Sequence, residues 1–135
     1  MKAENLETRV MKRIARKRSD VFLRTDFKDL GGYDQVGRVL RRLVGKGKLL
    51  KIGHGLYARA ATSPFDGTPI PVKGLQALAA EALGRFGVET APCRFEQDYN
   101  AGKTTQVPNG RVVAVRGRIR RKIGYNGIFL TFERG

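Results

Sequence analysis

A short stretch of the chain contains several arginines and one glutamine in a pattern suited to contacts with nucleic-acid bases. Arginine matches the guanine edge and glutamine matches the adenine edge in the major groove of B-DNA, which is wide enough for an α-helix. Apolar residues at helical spacing predict a helix from about Asp34 to Gly45, so its polar residues share the opposite face. A solvated cationic face is the alternative. The candidate base-reading residues are Tyr33, Gln35, Arg38, Arg41 and Arg42.

A second set of polar and mostly cationic residues flanks this stretch and suits contacts with phosphates, which position a protein without reading sequence. His54 lies between Gly53 and Gly55 at the tip of a predicted hairpin. It is either a phosphate or minor-groove contact or an exposed turn residue. The candidates for phosphate contact are Arg13, Arg16, Lys17, Thr25, Lys46, Lys48, Lys51 and His54.

The charge of the whole chain agrees with a polyanionic partner. Its 135 residues include 27 Lys and Arg against 12 Asp and Glu, a net charge of +15, while 41% are hydrophobic. Enough apolar residues are present to fold, so a disordered basic tail is excluded. Residues 1–60 carry 16 basic and 6 acidic side chains (+10), and residues 61–135 carry 11 and 6 (+5).

Several functional classes are disfavoured by the residues present. No apolar run approaches the about 18 residues of a membrane span, so we expect a cytoplasmic protein with no membrane partner. One cysteine, Cys93, and one histidine cannot form a disulfide or a zinc site within one chain, and Cys93 suits packing. No glycine-rich phosphate loop is present, and we expect no cofactor.

A metal-dependent nuclease is the enzyme hypothesis that the carboxylates allow, because such chemistry needs clustered acids and often a lysine. Asp66, Glu96, Asp98 and Lys103 are the residues it would use. The spacing of Glu96 and Asp98 fits a half-exposed strand equally well, and Asp66 lies in a proline-rich segment. We therefore expect no enzymatic activity.

The elements that position the candidate residues follow a recognisable order. We predict a helix over about residues 4–18, a brief helix capped by Thr25, the basic helix 34–45, and two short strands at 49–52 and 56–58. Helix, short helix, turn, basic helix and hairpin within 60 residues predict a winged helix-turn-helix. The predicted fold class is α+β.

The rest of the chain is predicted to form a linker and a small accessory module. Residues 61–73 contain three of the five prolines of the chain in eight residues, which excludes a helix and favours a linker. Residues 74–86 have helical spacing, and the remainder predicts a small antiparallel sheet with a turn at Asn126 and Gly127. A possible second basic surface comprises Arg116, Arg118, Arg120, Arg121 and Lys122. It would extend a DNA footprint, bind RNA or contact an acidic protein.

Residues 20–60 resemble the N-terminal winged-helix domain of AbiEi-type antitoxins from bacterial type IV toxin–antitoxin systems and their shorter relatives. The most specific parts are GYDQVGRVLRRLVGKGKL at Gly32–Leu49 and GHGLYARA at Gly53–Ala60. The resemblance implies a repressor that binds its own promoter and a longer C-terminal part that neutralises a toxin. Here about 62 residues follow the linker.

We therefore expect a sequence-specific regulator that binds double-stranded DNA as an autorepressor. It would act as a homodimer or bind cooperatively to repeated half-sites. The alternatives are a protein-interaction module whose C-terminal part holds a toxin or another partner, and a protein that binds structured RNA.

Overall fold

The computed structural model describes residues 5–91, 99–102, 112–116, 119, 121–125 and 128–134. The chain divides into two compact units, Met1–Val72 and Lys73–Gly135. Within the described residues, no helix is long and apolar enough to cross a membrane.

The first unit is a winged helix-turn-helix, as the order of elements predicts. Its elements are α1 (Leu6–Arg16), β1 (Val21–Leu23), a short 3-10 helix (Arg24–Phe27), α2 (Tyr33–Gly45), β2 (Leu49–Gly53), β3 (Leu56–Thr62) and β4 (Pro69–Pro71). The sheet has β3 between β1 and β2, and both pairings are antiparallel. The hairpin of β2 and β3 is the wing.

Local interactions explain where the helices begin and end. The Asn5 side chain accepts a hydrogen bond from the backbone N–H of Thr8 at 2.8 Å and so caps α1. After α2, Gly47 adopts a φ of 74° that favours glycine, and the N–H of Lys48 donates to the carbonyl of Leu43 at 2.9 Å. The predicted end of α2 at Gly45 is therefore confirmed.

The brief helix differs from its prediction. Thr25 lies inside the 3-10 helix and is exposed, so it is not the cap. The Asp26 carboxylate takes that role by accepting a hydrogen bond from the N–H of Leu23 at 3.0 Å. Asp26, three residues after Leu23, is placed so that its side chain reaches back to this N–H. Thr25 is only two residues after Leu23 and does not cap the helix.

The core of the first unit joins both helices to the sheet. Val10 of α1 and Leu40 and Leu43 of α2 are fully buried, whereas Met11, next to Val10, is 40% exposed. The buried cluster comprises Val10, Phe22, Phe27, Val36, Val39, Leu40, Leu43, Leu49 and Tyr57. This packing fixes which face of α2 is left to solvent.

The segment predicted as a linker is largely structured. β4 pairs antiparallel with the later part of β3, so that Ala60 faces Pro71 and Thr62 faces Pro69. Between the two strands, the N–H of Ser63 donates to the carbonyl of Thr68 at 2.8 Å. Prolines suit β4 because it pairs with one strand only. Residues 61–72 thus belong to the first unit.

The second unit combines one helix with short strands. Its elements are α3 (Leu75–Arg85), β5 (Thr90–Ala91), β6 (Val112–Val115), β7 (Gly124–Tyr125), β8 (Ile128–Phe129) and β9 (Thr131–Arg134). β5 runs antiparallel to β6, but β9 runs parallel to β6. The sheet is therefore mixed where the sequence predicts an antiparallel one, since a period of two does not specify strand direction.

The segment that carries the possible second basic surface is not a continuous strand in its described part. Residues 119 and 121–123 lie outside the strands, and the next strand begins only at Gly124. Ile123 is nevertheless fully buried, and its carbonyl accepts a hydrogen bond from the N–H of Leu130 at 2.9 Å. The predicted turn at Asn126 and Gly127 lies outside the described residues.

Candidate nucleic-acid interface

The exposed face of α2 carries the predicted base-reading side chains. Gln35, Arg38, Arg41 and Arg42 are all exposed, and the buried residues of the helix lie on its other side. None of the described residues forms an ion pair with Arg38, Arg41 or Arg42. Three positive charges are thus presented to solvent without a compensating carboxylate, the condition that favours binding of a polyanion.

Tyr33, the first residue of α2, is 58% exposed and contacts a cation that the sequence analysis did not single out. The guanidinium carbon of Arg24 lies 4.2 Å from the centroid of the Tyr33 ring. No sequence pattern indicates this pair, because nine positions separate the two residues and they belong to different elements. Tyr33 is therefore a platform for Arg24 as well as an exposed aromatic residue.

The wing, which follows α2 in the sequence, carries further exposed polar side chains. Lys48 and Lys51 are exposed before and within β2, and His54 is exposed at the tip of the hairpin. The turn depends on Gly55, whose φ is 64°. The carbonyl of Gly55 accepts a hydrogen bond from the N–H of Arg24 at 3.2 Å, so the hairpin is tied to the segment that leads to α2.

Comparison with protein families supports the winged-helix assignment. Residues 9–60 match a family model described as a transcriptional regulator, AbiEi antitoxin. These residues are thus similar to AbiEi-type transcriptional regulators. The resemblance predicted from the sequence is thereby confirmed for this segment, which contains α2 and most of the wing. No curated protein and no solved structure was similar enough to the chain to count as a match.

Three cations that were predicted to contact phosphates form ion pairs within the first unit. Arg13 binds both carboxylate oxygens of Asp29, at 2.5 and 2.8 Å. Lys46 lies 3.1 Å from the Glu7 carboxylate. Lys17 lies 3.5 Å from Asp26, whose side chain is only 6% exposed. The charges of these three cations are therefore partly compensated within the fold.

The pair of Arg13 and Asp29 also sets the ionisation of the carboxyl group. The hydrogen bond from Arg13 is the main cause that lowers the pKa of Asp29 to about 2, from an ordinary value of 3.8. The carboxylate therefore stays charged at any pH at which the protein would bind DNA.

Cationic side chains of α1 surround a shallow surface depression of about 560 Å³. It is lined by Arg9, Lys12, Arg13, Arg16, Lys17 and Leu30. Arg16, predicted to contact a phosphate, is exposed at its edge. The depression suits an anion, but two of its cations already hold carboxylates. We regard it as a secondary part of the basic surface rather than its centre.

Arg59, which was not among the predicted site residues, has a structural role in the first unit. Its Nη2 donates to the carbonyls of Ile14, Lys17 and Ser19 at 2.9 to 3.0 Å. Its Nε lies 3.3 Å from the Asp20 carboxylate. Arg59 thus satisfies carbonyls at the C-terminal end of α1, where a cation is favoured by the helix dipole.

The possible second basic surface is only partly described by the structure. Arg116 lies 3.4 Å from Glu89, and both side chains are more than 70% exposed. The guanidinium carbon of Arg121 lies 4.0 Å above the Phe86 ring. Lys122 is exposed. Arg118 and Arg120 lie outside the described residues, so a basic surface that includes all five cations stays a prediction.

The residues of the nuclease hypothesis are not brought together in the described part of the chain. The Asp66 carboxylate accepts hydrogen bonds from the backbone and hydroxyl of Thr68, at 3.1 and 2.7 Å, which lower its pKa. Its role is to hold the turn before β4. Within the described residues, no group of three or more His, Cys, Asp or Glu side chains could hold a metal ion. Cys93, Glu96, Asp98 and Lys103 lie outside them.

Proposed function

We propose that this protein is a sequence-specific transcriptional regulator that binds double-stranded DNA and reads the major groove with α2. At a coarser level, the match of residues 9–60 to a family of transcriptional regulators and antitoxins supports a DNA-binding regulator. The observation that carries the finer proposal is the exposed face of α2, on which Arg38, Arg41 and Arg42 have no ion-pair partner among the described residues.

The geometry of α2 explains how this face would read a sequence. Arg38 and Arg42 are four residues apart and so lie on the same edge of the helix. An arginine that binds the O6 and N7 atoms of a guanine contributes about 1–3 kcal/mol of discrimination against the wrong base. We assign that role to Arg38 and Arg42. Gln35 would contact an adenine, and Arg41 would contact a further guanine.

The phosphate contacts of the proposal come from cations that remain uncompensated. Lys48 and Lys51 are exposed and have no ion-pair partner among the described residues, in contrast to Lys17 and Lys46. With about six phosphate contacts, the logarithm of the affinity should fall against the logarithm of the salt concentration with a slope near −5.

A selection from a random duplex library, performed with the full chain, tests this function. We expect an enriched motif, and we expect the selected duplex to outcompete structured RNA at matched salt. Arg38→Ala should weaken the selected duplex by about 1–3 kcal/mol and leave random duplexes nearly unchanged, whereas Lys51→Ala should weaken both alike. A salt-independent affinity, or a preference for structured RNA, would contradict the proposal.

The antitoxin role adds a cognate toxin as partner, with the protein repressing its own operon. We propose that the second unit holds this toxin. A stoichiometric protein that co-purifies with the chain at high salt and is lost when residues 73–135 are removed would support the role. Co-purification that survives this deletion would contradict it.

A further inference from the structure

Arg24 occupies a position that joins the wing to α2. It is the first residue of the 3-10 helix, and its N–H donates to the carbonyl of Gly55 in the wing turn. Its guanidinium lies 4.2 Å from the ring centroid of Tyr33, at the start of α2. The backbone of Arg24 is therefore fixed to one candidate DNA-contacting element and its side chain is packed on the other.

A glycine in the middle of α2 makes room for this side chain. A Cβ added at Gly37 would lie 2.5 Å from Nη2 and 2.6 Å from Cζ of Arg24, closer than real contacts allow. Glycine is the least favourable residue in a helix interior after proline, so this position is otherwise an unfavourable place for it. The guanidinium thus rests between an aromatic ring and the bare backbone of α2.

This guanidinium carries an uncompensated charge. Its Nε is buried and has no hydrogen-bond partner among the described residues, and none of them forms an ion pair with it. A guanidinium normally gives its donors to acceptors, and a carboxylate would be the usual partner in a folded chain. Arg24 as a whole is only half-buried, so the positive charge that this packing holds in place is available to an anion from outside the chain.

We infer that Arg24 binds a phosphate of the DNA backbone at the edge of the groove that α2 enters. The inference rests on the proposed function. Tyr33 and Gly37 are four residues apart on one flank of α2, and Arg38 lies about 100° further round the helix. A side chain on the flank faces the wall of the groove, which phosphates form, and the fork of a guanidinium suits two phosphate oxygens.

Gly37→Ala tests the inference without removing any DNA-contacting atom. The added methyl group displaces the guanidinium of Arg24, while alanine favours the helix. We expect affinity for the selected duplex and for a random duplex of the same length to fall alike, by about tenfold, and the magnitude of the salt slope to fall by about 1. Arg24→Ala should have the same effects.

Two comparisons separate displacement of Arg24 from damage to the fold. Adding Gly37→Ala to Arg24→Ala should cause no further loss of affinity, because the displaced group is already absent. Gly45→Ala is the matched control on the same helix, since its added Cβ meets nothing within 4 Å. It should leave the affinity unchanged, and urea unfolding should show every variant folded.

The possible outcomes distinguish this inference from the proposed function. If Arg24→Ala binds both duplexes as the wild type does while Arg38→Ala weakens the selected one, the inference is wrong and the function stands. If Arg24→Ala weakens only the selected duplex, Arg24 reads a base and the phosphate assignment is wrong. If the wild type binds no duplex, both are overturned. A further loss in the double variant would show that Gly37→Ala acts through the fold, and would overturn the placement of Arg24.

Discussion

Replacement of Arg59 by methionine should destabilise the winged-helix unit strongly. Methionine retains an apolar chain beside Phe22, whose ring centroid lies 5.2 Å from the guanidinium carbon. It removes the donor that three carbonyls near the end of α1 share and the ion pair with Asp20. The perturbation therefore tests a hydrogen-bond network while keeping much of the packing.

The magnitude follows from the number of donors lost. Nη2 carries two hydrogens, and hydrogen bonds to charged groups contribute about 1.5–3 kcal/mol each. Because the Arg59 side chain is 26% exposed, water compensates for part of the lost hydrogen-bond energy. We therefore expect the free energy of unfolding to fall by about 2–4 kcal/mol. A unit of this size has a total stability of only about 4–10 kcal/mol.

Urea unfolding followed by circular dichroism measures this loss, and amide hydrogen exchange within α1 assigns it to the first unit. Arg41→Met is the matched control, because Arg41 is exposed and has no ion-pair partner among the described residues. It should change the stability by less than about 0.5 kcal/mol. Equal unfolding midpoints for the Arg59 and Arg41 variants would refute the structural role of Arg59.

Three further predictions follow from the interactions of the first unit. The pKa of Asp29 is lowered, so its pair with Arg13 stabilises the fold fully above about pH 3.8 and loses this effect as the pH falls through about 2; an NMR titration midpoint near 4 would contradict this. Gly55→Ala should destabilise the wing turn by about 1–2 kcal/mol, because φ is 64° there, and an unchanged unfolding midpoint would argue against it. Lys17→Ala should lower the free energy of unfolding more than Lys51→Ala does. Lys51→Ala should reduce the salt slope of DNA binding more than Lys17→Ala does. The reverse rankings would show that the ion pair with Asp26 does not keep Lys17 from contacting DNA.

The elements that could be predicted from the sequence are those determined by residues close together in the chain. The spacing of Val36, Val39, Leu40 and Leu43 predicts both the extent of α2 and its buried face, and these residues are buried in the structure. The glycines around His54 predict the wing turn. In each case neighbouring residues determine the local conformation and the packed face together.

The features that the sequence analysis missed depend on contacts between distant residues. Arg59 reaches the carbonyl of Ile14 across 45 positions, and Lys46 meets Glu7 across 39. Composition shows these charges but not which of them are compensated in the fold. Because Arg13, Lys17 and Lys46 form ion pairs in the fold, we propose Lys48, Lys51 and Arg24 as the better candidates for phosphate contact, and all of these contacts stay predictions.

Replacement of single purines by their 7-deaza analogues in the selected duplex tests whether α2 reads bases in the major groove. These analogues lack the N7 acceptor that faces the major groove, and they keep the Watson–Crick edge intact. We expect at least one substitution to weaken binding by the wild type by about 1–3 kcal/mol and to have no further effect on binding by Arg38→Ala or Arg42→Ala. If no 7-deaza substitution weakens binding by the wild type, α2 does not read the major groove and the proposed function is wrong.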